Sequence, residues 1–270
     1  MSMPELPEVE TIVRELRQKM SGDVFQDIEL RWPGSYQAVS GLSIKNRKIT
    51  GLDRKGKYII FNLQNEFLIV HLRMTGQIIV KKKLPADQKY LRVIFRMQSG
   101  RYLLFYDLRK FGRIILTDDR QNVLKNTGPD ALQADFSMSY LLKRMQGKTL
   151  SVKSFLMDQR NVAGLGNIYI DESLYLARLH PESKAGKISR RQNERLYESI
   201  KMVLNGAIGR MGTTISDYKT TGGGFGENQN HLYVYGRGGE PCITCGSFIR
   251  KIKHNGRGTH FCPRCQKKIC

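Results

Sequence analysis

At 270 residues and a formal net charge of +21, the chain is long enough to bury a core and to form two domains. Its 45 Lys and Arg against 24 Asp and Glu point to a polyanionic partner, with nucleic acid ahead of a membrane surface. No apolar stretch approaches the roughly 18 residues of a transmembrane helix, and the acidic N-terminus lacks the hydrophobic region of a signal peptide. A cytosolic protein with no membrane partner is expected, in which five cysteines serve better as metal ligands than as disulfides.

The chain opens MSMPELPEVE, and Leu6, Val9, Ile12, Val13, Leu16 and Met20 recur at spacings of three and four. That period predicts an amphipathic helix. Pro7 suits its first turn, where no amide donor is needed, and Glu8 and Glu10 suit its positive end. KYIIFNL, EFLIVHLRMTGQIIV, YLRVIFRM and RYLLFYDLRKFGRIILT follow, rich in β-branched and aromatic residues and separated by polar turns. They predict an antiparallel β domain.

Composition changes at DDRQNVLKNTGPDALQAD, a polar stretch with a Gly-Pro breaker that reads as a linker. Helical spacing resumes in SMSYLLKRMQ, VKSFLMDQ, NIYIDESLYLARL and RRQNERLYESIKMVLNGAIGRM. A glycine-rich stretch, TTGGGFGENQN, leads to a basic C-terminal segment. The expected divisions are 1–120, a linker at 121–135, a helical region at 136–231, and 232–270.

Within the last segment, Cys242 and Cys245 precede Cys262 and Cys265 as two C-x-x-C pairs sixteen residues apart. Two such pairs can close four thiolates around one tetrahedral zinc, with no position left for a catalytic water, so a structural Zn2+ is expected. An iron–sulfur cluster or reduced thiols are the alternatives. Cys270 stands outside both pairs and reads as a bystander thiol. Eight Lys or Arg against one acid in 232–270 make this finger a candidate phosphate clamp.

PELPEVE, KGKYIIF, HLRMTGQ, YDLRKFGR, GLGNIYIDESL, HLYVYGRGGEPC and GRGTHFCPRCQ stand in order over nearly the whole chain. Together they resemble the formamidopyrimidine-DNA glycosylases, bacterial base-excision enzymes that remove oxidised purines such as 8-oxoguanine. The resemblance implies an α+β fold: an N-terminal two-layered β-sandwich with flanking helices, then a helix-two-turn-helix module and a zinc-finger β-hairpin. It implies a glycosylase and AP lyase working as a cytoplasmic, nucleoid-associated monomer on double-stranded DNA with oxidised bases.

The same resemblance assigns roles. Pro4 matches the N-terminal proline whose amine attacks the sugar C1′, expels the base and forms a Schiff base. An α-amine titrates near 7.7–8.0 and a lysine near 10.4, so a terminus avoids roughly 2.5 pKa units, on the order of 3.5 kcal/mol. Glu5 matches the acid that protonates the sugar ring, Lys57 the lysine near the scissile phosphate, and Arg257 the finger arginine that grips the phosphate beside the lesion.

Among DNA-facing residues, Glu8 orients the N-terminus, and Met74, Arg109 and Phe111 match the groups that fill the space left by the extruded base. His71, Lys153 and Asn167 match phosphate-side positions, and TTGGGFGENQN matches the loop that closes over the flipped base. Each of these residues taken singly also reads as core, cap or surface charge.

One departure stands out, because Met1, Ser2 and Met3 precede Pro4, and an amide nitrogen cannot be this nucleophile. Either translation or processing makes Pro4 the first residue, which is the expectation, or the chain is a zinc-containing DNA-binding protein without catalysis. An endonuclease VIII-like enzyme acting on oxidised pyrimidines is the further alternative, against which PELPEVE and the LRMTG and LRKFG patterns argue.

Overall fold

The structure, a computed structural model, describes residues 3–269; Met1, Ser2 and Cys270, and the expectations that fall on them, lie outside the described residues. Helix α1 (Leu6–Met20) buries Leu6, Val9, Ile12, Val13, Leu16 and Met20, the stripe set by their spacing. Pro7 stands in its first turn and Glu8 is the acid there.

Nine strands follow: β1 (Phe25–Leu30), β2 (Tyr36–Ala38), β3 (Gly51–Lys55), β4 (Tyr58–Asn62), β5 (Phe67–His71), β6 (Gly76–Lys81), β7 (Leu91–Met97), β8 (Tyr102–Asp107) and β9 (Arg113–Thr117). They form a four-stranded sheet in the order β1-β7-β8-β6 and a five-stranded sheet in the order β2-β9-β5-β4-β3. Side chains of both sheets and of α1 share one core, in which Phe25 of the first sheet meets Phe61 of the second at 6.2 Å and Phe95 of its own at 5.3 Å, both edge-on.

The antiparallel expectation fails at one edge, where β2 pairs in parallel with β9. No short hairpin joins these two strands, so nothing in the chain path forces them to oppose.

The stretch that reads as a linker carries more order than its composition suggests. It holds a short helix α2 (Arg120–Leu124), started by Asp119 accepting from the Gln121 and Asn122 amides. Beyond it Asp130 and Ala131 are buried, and the Ala131 amide donates to Ala163 O at 3.1 Å.

The second compact unit contains α3 (Met138–Met145), α4 (Val152–Met157), α5 (Asn167–Leu176), α6 (Arg190–Gly209) and the hairpin of β10 (Arg250–His254) with β11 (Arg257–Phe261). Helix α5 packs on α4, α6 and β11, and its residues from Ile168 to Tyr175 are all buried. A helix enclosed on every side must satisfy its own acids. Asp171 pairs with Lys153 and accepts the His260 amide, and Glu172 accepts the amides of Tyr233, Val234 and Tyr235.

Compact units do not follow chain order. The first comprises the residues up to Lys125 together with Arg210–Glu227, and the second Asn126–Gly209 with the residues from Asn228 onward. Among the described residues no helix is long and apolar enough to cross a membrane.

Candidate active site and nucleic-acid interface

The first unit holds Pro4, Glu5, Glu8, Lys57, His71, Met74, Arg109 and Phe111; the second holds Lys153, Asn167, Arg257 and the four paired cysteines. Pro4 and Glu5 are buried immediately before α1, with Glu5 as its N-cap. The Glu8 carboxylate accepts the Glu5 amide at 2.8 Å through Oε2 and the Thr213 amide at 2.7 Å through Oε1. One side chain thus ties the start of the helix to a segment 205 residues later. Gly212 makes room for it: its φ is +82°, and a Cβ there would lie 2.8 Å from Glu8 Oε1.

From Thr213 the chain runs into the glycine-rich stretch. Thr221 bonds to Glu15 and Lys19 of α1, and its carbonyl accepts the Val80 amide at 3.0 Å. Phe225 follows with 60% of its surface exposed. The loop is therefore anchored at Thr221 and presents an aromatic ring at its tip.

Lys57 is buried within the two-residue turn, Gly56 and Lys57, that joins β3 to β4. Arg54 fixes that turn, since its guanidinium donates to Glu10 of α1 at 2.8 Å and to Gly56 O at 3.2 Å. His71 ends β5 with its Nδ1 accepting the Arg73 amide at 3.0 Å. Burial, with the Arg73 and Lys57 charges beside it, lowers its pKa to about 3, so the ring is neutral and Nε2 carries the proton. Such a ring can donate to a phosphate oxygen without carrying a charge.

Met74 and the Arg109–Phe111 turn are joined through Asp107, which is fully buried at the end of β8. Asp107 Oδ1 accepts from Thr75 Oγ1 and, at 3.2 Å, from the Arg109 amide; Oδ2 accepts the Gly112 amide at 2.7 Å. Above this anchor Arg109 Nη1 lies 3.1 Å from Met74 Sδ and its guanidinium 4.9 Å from the Phe111 ring centre. Phe111 is 49% exposed. The buried Asp107 carboxylate thus holds the turn that leaves this apolar ring outside the core.

In the second unit, Asn167 opens α5 and donates its side-chain amide to Gly258 O at 2.9 Å. That bond sets the helix N-terminus beside exposed Arg257 at the hairpin turn. Lys153 is placed differently: it is fully buried, with its ammonium 2.6 Å from Asp171 Oδ1, and turns no charge toward solvent.

The sulfurs of Cys242, Cys245, Cys262 and Cys265 all lie within 4.8 Å of one another, with pair distances of 3.9 Å (Cys242–Cys265) and 3.5 Å (Cys245–Cys262). A tetrahedral zinc with bonds of about 2.3 Å needs sulfurs about 3.8 Å apart, so the four fit one ion. They belong to a small core with Tyr175, Val234 and Ile249, which places the metal site within the fold.

Sequence reasoning missed Asp107, Arg54 and the bridging use of Glu8. Asp107 lies inside YDLRKFGR, and an acid ending an apolar strand was the signal that could have found it.

Comparison with known proteins finds relatives over nearly the whole chain. Family models match residues 3–114 (formamidopyrimidine-DNA glycosylase N-terminal domain), 127–219 (formamidopyrimidine-DNA glycosylase H2TH domain) and 239–268 (zinc finger found in FPG and IleRS). A formamidopyrimidine-DNA glycosylase of Herpetosiphon aurantiacus is 43% identical over 274 residues, spanning 98% of this chain and all of that one. Among solved structures, Lactococcus lactis Fpg with DNA containing an abasic site has a TM-score of 0.90 at 36% identity, and a variant of that protein with DNA containing Fapy-dG has 0.90 at 37%. Both cover 98% of this chain and 100% of theirs. The chain belongs to the formamidopyrimidine-DNA glycosylase family.

Proposed function

We propose that the chain excises oxidised purines, 8-oxoguanine and formamidopyrimidines, from double-stranded DNA and then cuts the strand at the abasic site. The observation that carries this reading is the arrangement at the start of α1, where Pro4 and Glu5 stand together and Glu8 fixes their backbone.

In this reading the Pro4 nitrogen bonds to C1′ as the bond from C1′ to the base breaks, and the base leaves with a proton. Glu5 protonates the sugar ring oxygen, the ring opens, and a Schiff base joins protein to sugar. Loss of a C2′ proton expels the 3′ phosphate, and a second elimination expels the 5′ phosphate. Pro4 must then be the first residue of the working enzyme. Support comes from the N-terminal family model, whose match begins at Met3, directly ahead of Pro4.

Lys57 and Arg257 serve the phosphates beside the lesion, with neutral His71 and the Asn167 end of α5 as further donors. Met74 and Phe111 fill the vacated stack while Arg109 bonds to the orphaned cytosine. Lys153 contributes by holding Asp171, and so the β11 backbone at His260, in place. Zinc, when bound, fixes the finger that carries Arg257; its chemistry is structural.

Along the chain we assign residues 1–120 to the catalytic domain, 121–135 to the linker, 136–231 to the helical domain and 232–270 to the finger; in space Arg210–Glu227, which leads into the capping loop, belongs to the first compact unit. The enzyme acts as a monomer on the nucleoid of a bacterial cytoplasm. Incubation with duplexes carrying 8-oxoguanine opposite cytosine, or thymine glycol, tests the reading. It predicts faster cutting at 8-oxoguanine, with phosphates left at both ends of the gap. Preferred cutting at thymine glycol, or binding without cutting by protein that begins at Pro4, would overturn it.

A further inference from the structure

Trp32, the single tryptophan of the chain, has no part in the roles above. It is 39% exposed, and the Lys110 ammonium lies 3.9 Å from its ring centre. Lys110 stands between Arg109 and Phe111 with φ at +61°, in the left-handed region that a lysine occupies at a cost unless its surroundings hold it there. The backbone of the turn is held by hydrogen bonds, from the Arg109 and Gly112 amides to Asp107 and from Arg113 Nη1 to Lys110 O at 3.2 Å, but Arg109, Lys110 and Phe111 are all exposed, so their side chains gain little restraint from packing.

Trp32 is itself firmly placed. Its amide donates to Arg92 O at 3.1 Å, and its carbonyl accepts the Ser35 amide at 3.0 Å. Pro33 fixes the next φ, and the indole lies so close over Gly34 that a Cβ there would be 3.0 Å from Nε1. Arg92 in turn donates through Nε to Asp107 O at 2.8 Å. The indole and the wedge turn thus share an anchor: Asp107, whose carboxylate binds the Arg109 and Gly112 amides.

We propose that Trp32 is a positioning residue for base extrusion, its indole face holding the Lys110 ammonium and so keeping Arg109 and Phe111 presented to the duplex. The inference rests on the wedge reading of Arg109 and Phe111. Indole is the strongest of the aromatic partners for a cation, which suits an exposed contact that must survive in water. Ordering the turn beforehand spares the extrusion step the entropy of fixing three exposed side chains. A base stacking on the same indole face would have to displace Lys110, so direct stacking by Trp32 is a competing role that experiment separates.

The test uses the whole chain, beginning at Pro4 and zinc-loaded, with Trp32→Leu, Trp32→Phe, Lys110→Met, the Trp32→Leu/Lys110→Met double variant and Phe111→Ala. Single-turnover excision is measured on an 8-oxoguanine:cytosine duplex, alongside nicking of a pre-formed abasic duplex, which has no base left to extrude, and affinity for undamaged duplex. Trp32→Leu is expected to slow excision roughly three- to tenfold, Trp32→Phe less, and the double variant no more than Lys110→Met alone. Abasic nicking by Trp32→Leu should be slowed less than excision, since only the vacancy remains to be filled, and affinity for undamaged duplex should match the parent, since no charge has changed.

Excision by Trp32→Leu at the parent rate overturns the inference. Multiplying effects in the double variant, or a matching loss of duplex affinity, assign Trp32 to direct DNA contact instead and overturn it too. If Trp32→Leu loses its native Tm, the same cycle is read with Trp32→Phe, which keeps a ring. Parent-rate excision by Phe111→Ala would remove the wedge reading itself; slow Phe111→Ala with normal Trp32→Leu would remove only the role of Trp32.

Discussion

The Asn167 side-chain amide donates to Gly258 O at 2.9 Å, joining the first residue of α5 to the β11 residue next to Arg257. Two groups 90 residues apart in sequence, expected separately on the phosphate side, are therefore set by one hydrogen bond. Asn167→Ala removes the bond and leaves the Gly258 carbonyl to find another donor. Affinity for an abasic duplex should fall roughly tenfold, the size of one phosphate hydrogen bond lost as the turn shifts, and Tm should drop by about 2–4 °C. Parent-like affinity in a binding titration would separate Asn167 from the DNA interface.

His71 gives the fold an acid limit. Its pKa of about 3 lies below the ordinary 6.5, so the unfolded chain takes up the proton more readily than the folded one. The stabilisation is fully present above pH 6.5 and is lost as pH falls from there toward 3. His71→Asn keeps an acceptor for the Arg73 amide and removes the titration. Denaturant unfolding at several pH values should show a flatter acid slope for the variant than for the parent; identical slopes would mean that His71 is not held neutral.

Lys153 and Asp171 make a fully buried pair, and removing only the cation strands a carboxylate in the interior. Lys153→Ala should cost about 3–5 kcal/mol by denaturant unfolding. A variant that stays within about 1 kcal/mol of the parent, yet binds DNA poorly, would move Lys153 from the fold to the interface.

Much of this was legible in the sequence, and what was not has physical reasons. The α1 stripe from Leu6 to Met20 and the C-x-x-C pairs read correctly because local spacing alone dictates them. The parallel pairing of β2 with β9 was hidden, since a three-residue strand carries no direction in its pattern. Asp107, Arg54 and the Glu8–Thr213 bond were invisible because their partners lie far away along the chain. Lys153 reads as a surface cation by type, and only the wholly enclosed α5 explains why its charge stays inside.

Zinc should be present at one ion per chain. Chelation, or Cys262→Ser, should unfold the finger and abolish binding to an abasic duplex, because the ligand set is the centre of the small core of Tyr175, Val234 and Ile249. Metal analysis with a binding titration checks this; retained DNA binding after complete zinc loss would contradict it.

The most direct measurement is borohydride trapping on an 8-oxoguanine duplex, followed by peptide mapping of the covalent adduct by mass spectrometry. The expected result is a reduced sugar adduct on the nitrogen of a Pro4 that is the first residue of the protein. An adduct mapped to a lysine, or efficient excision by protein still carrying residues ahead of Pro4, would contradict the account.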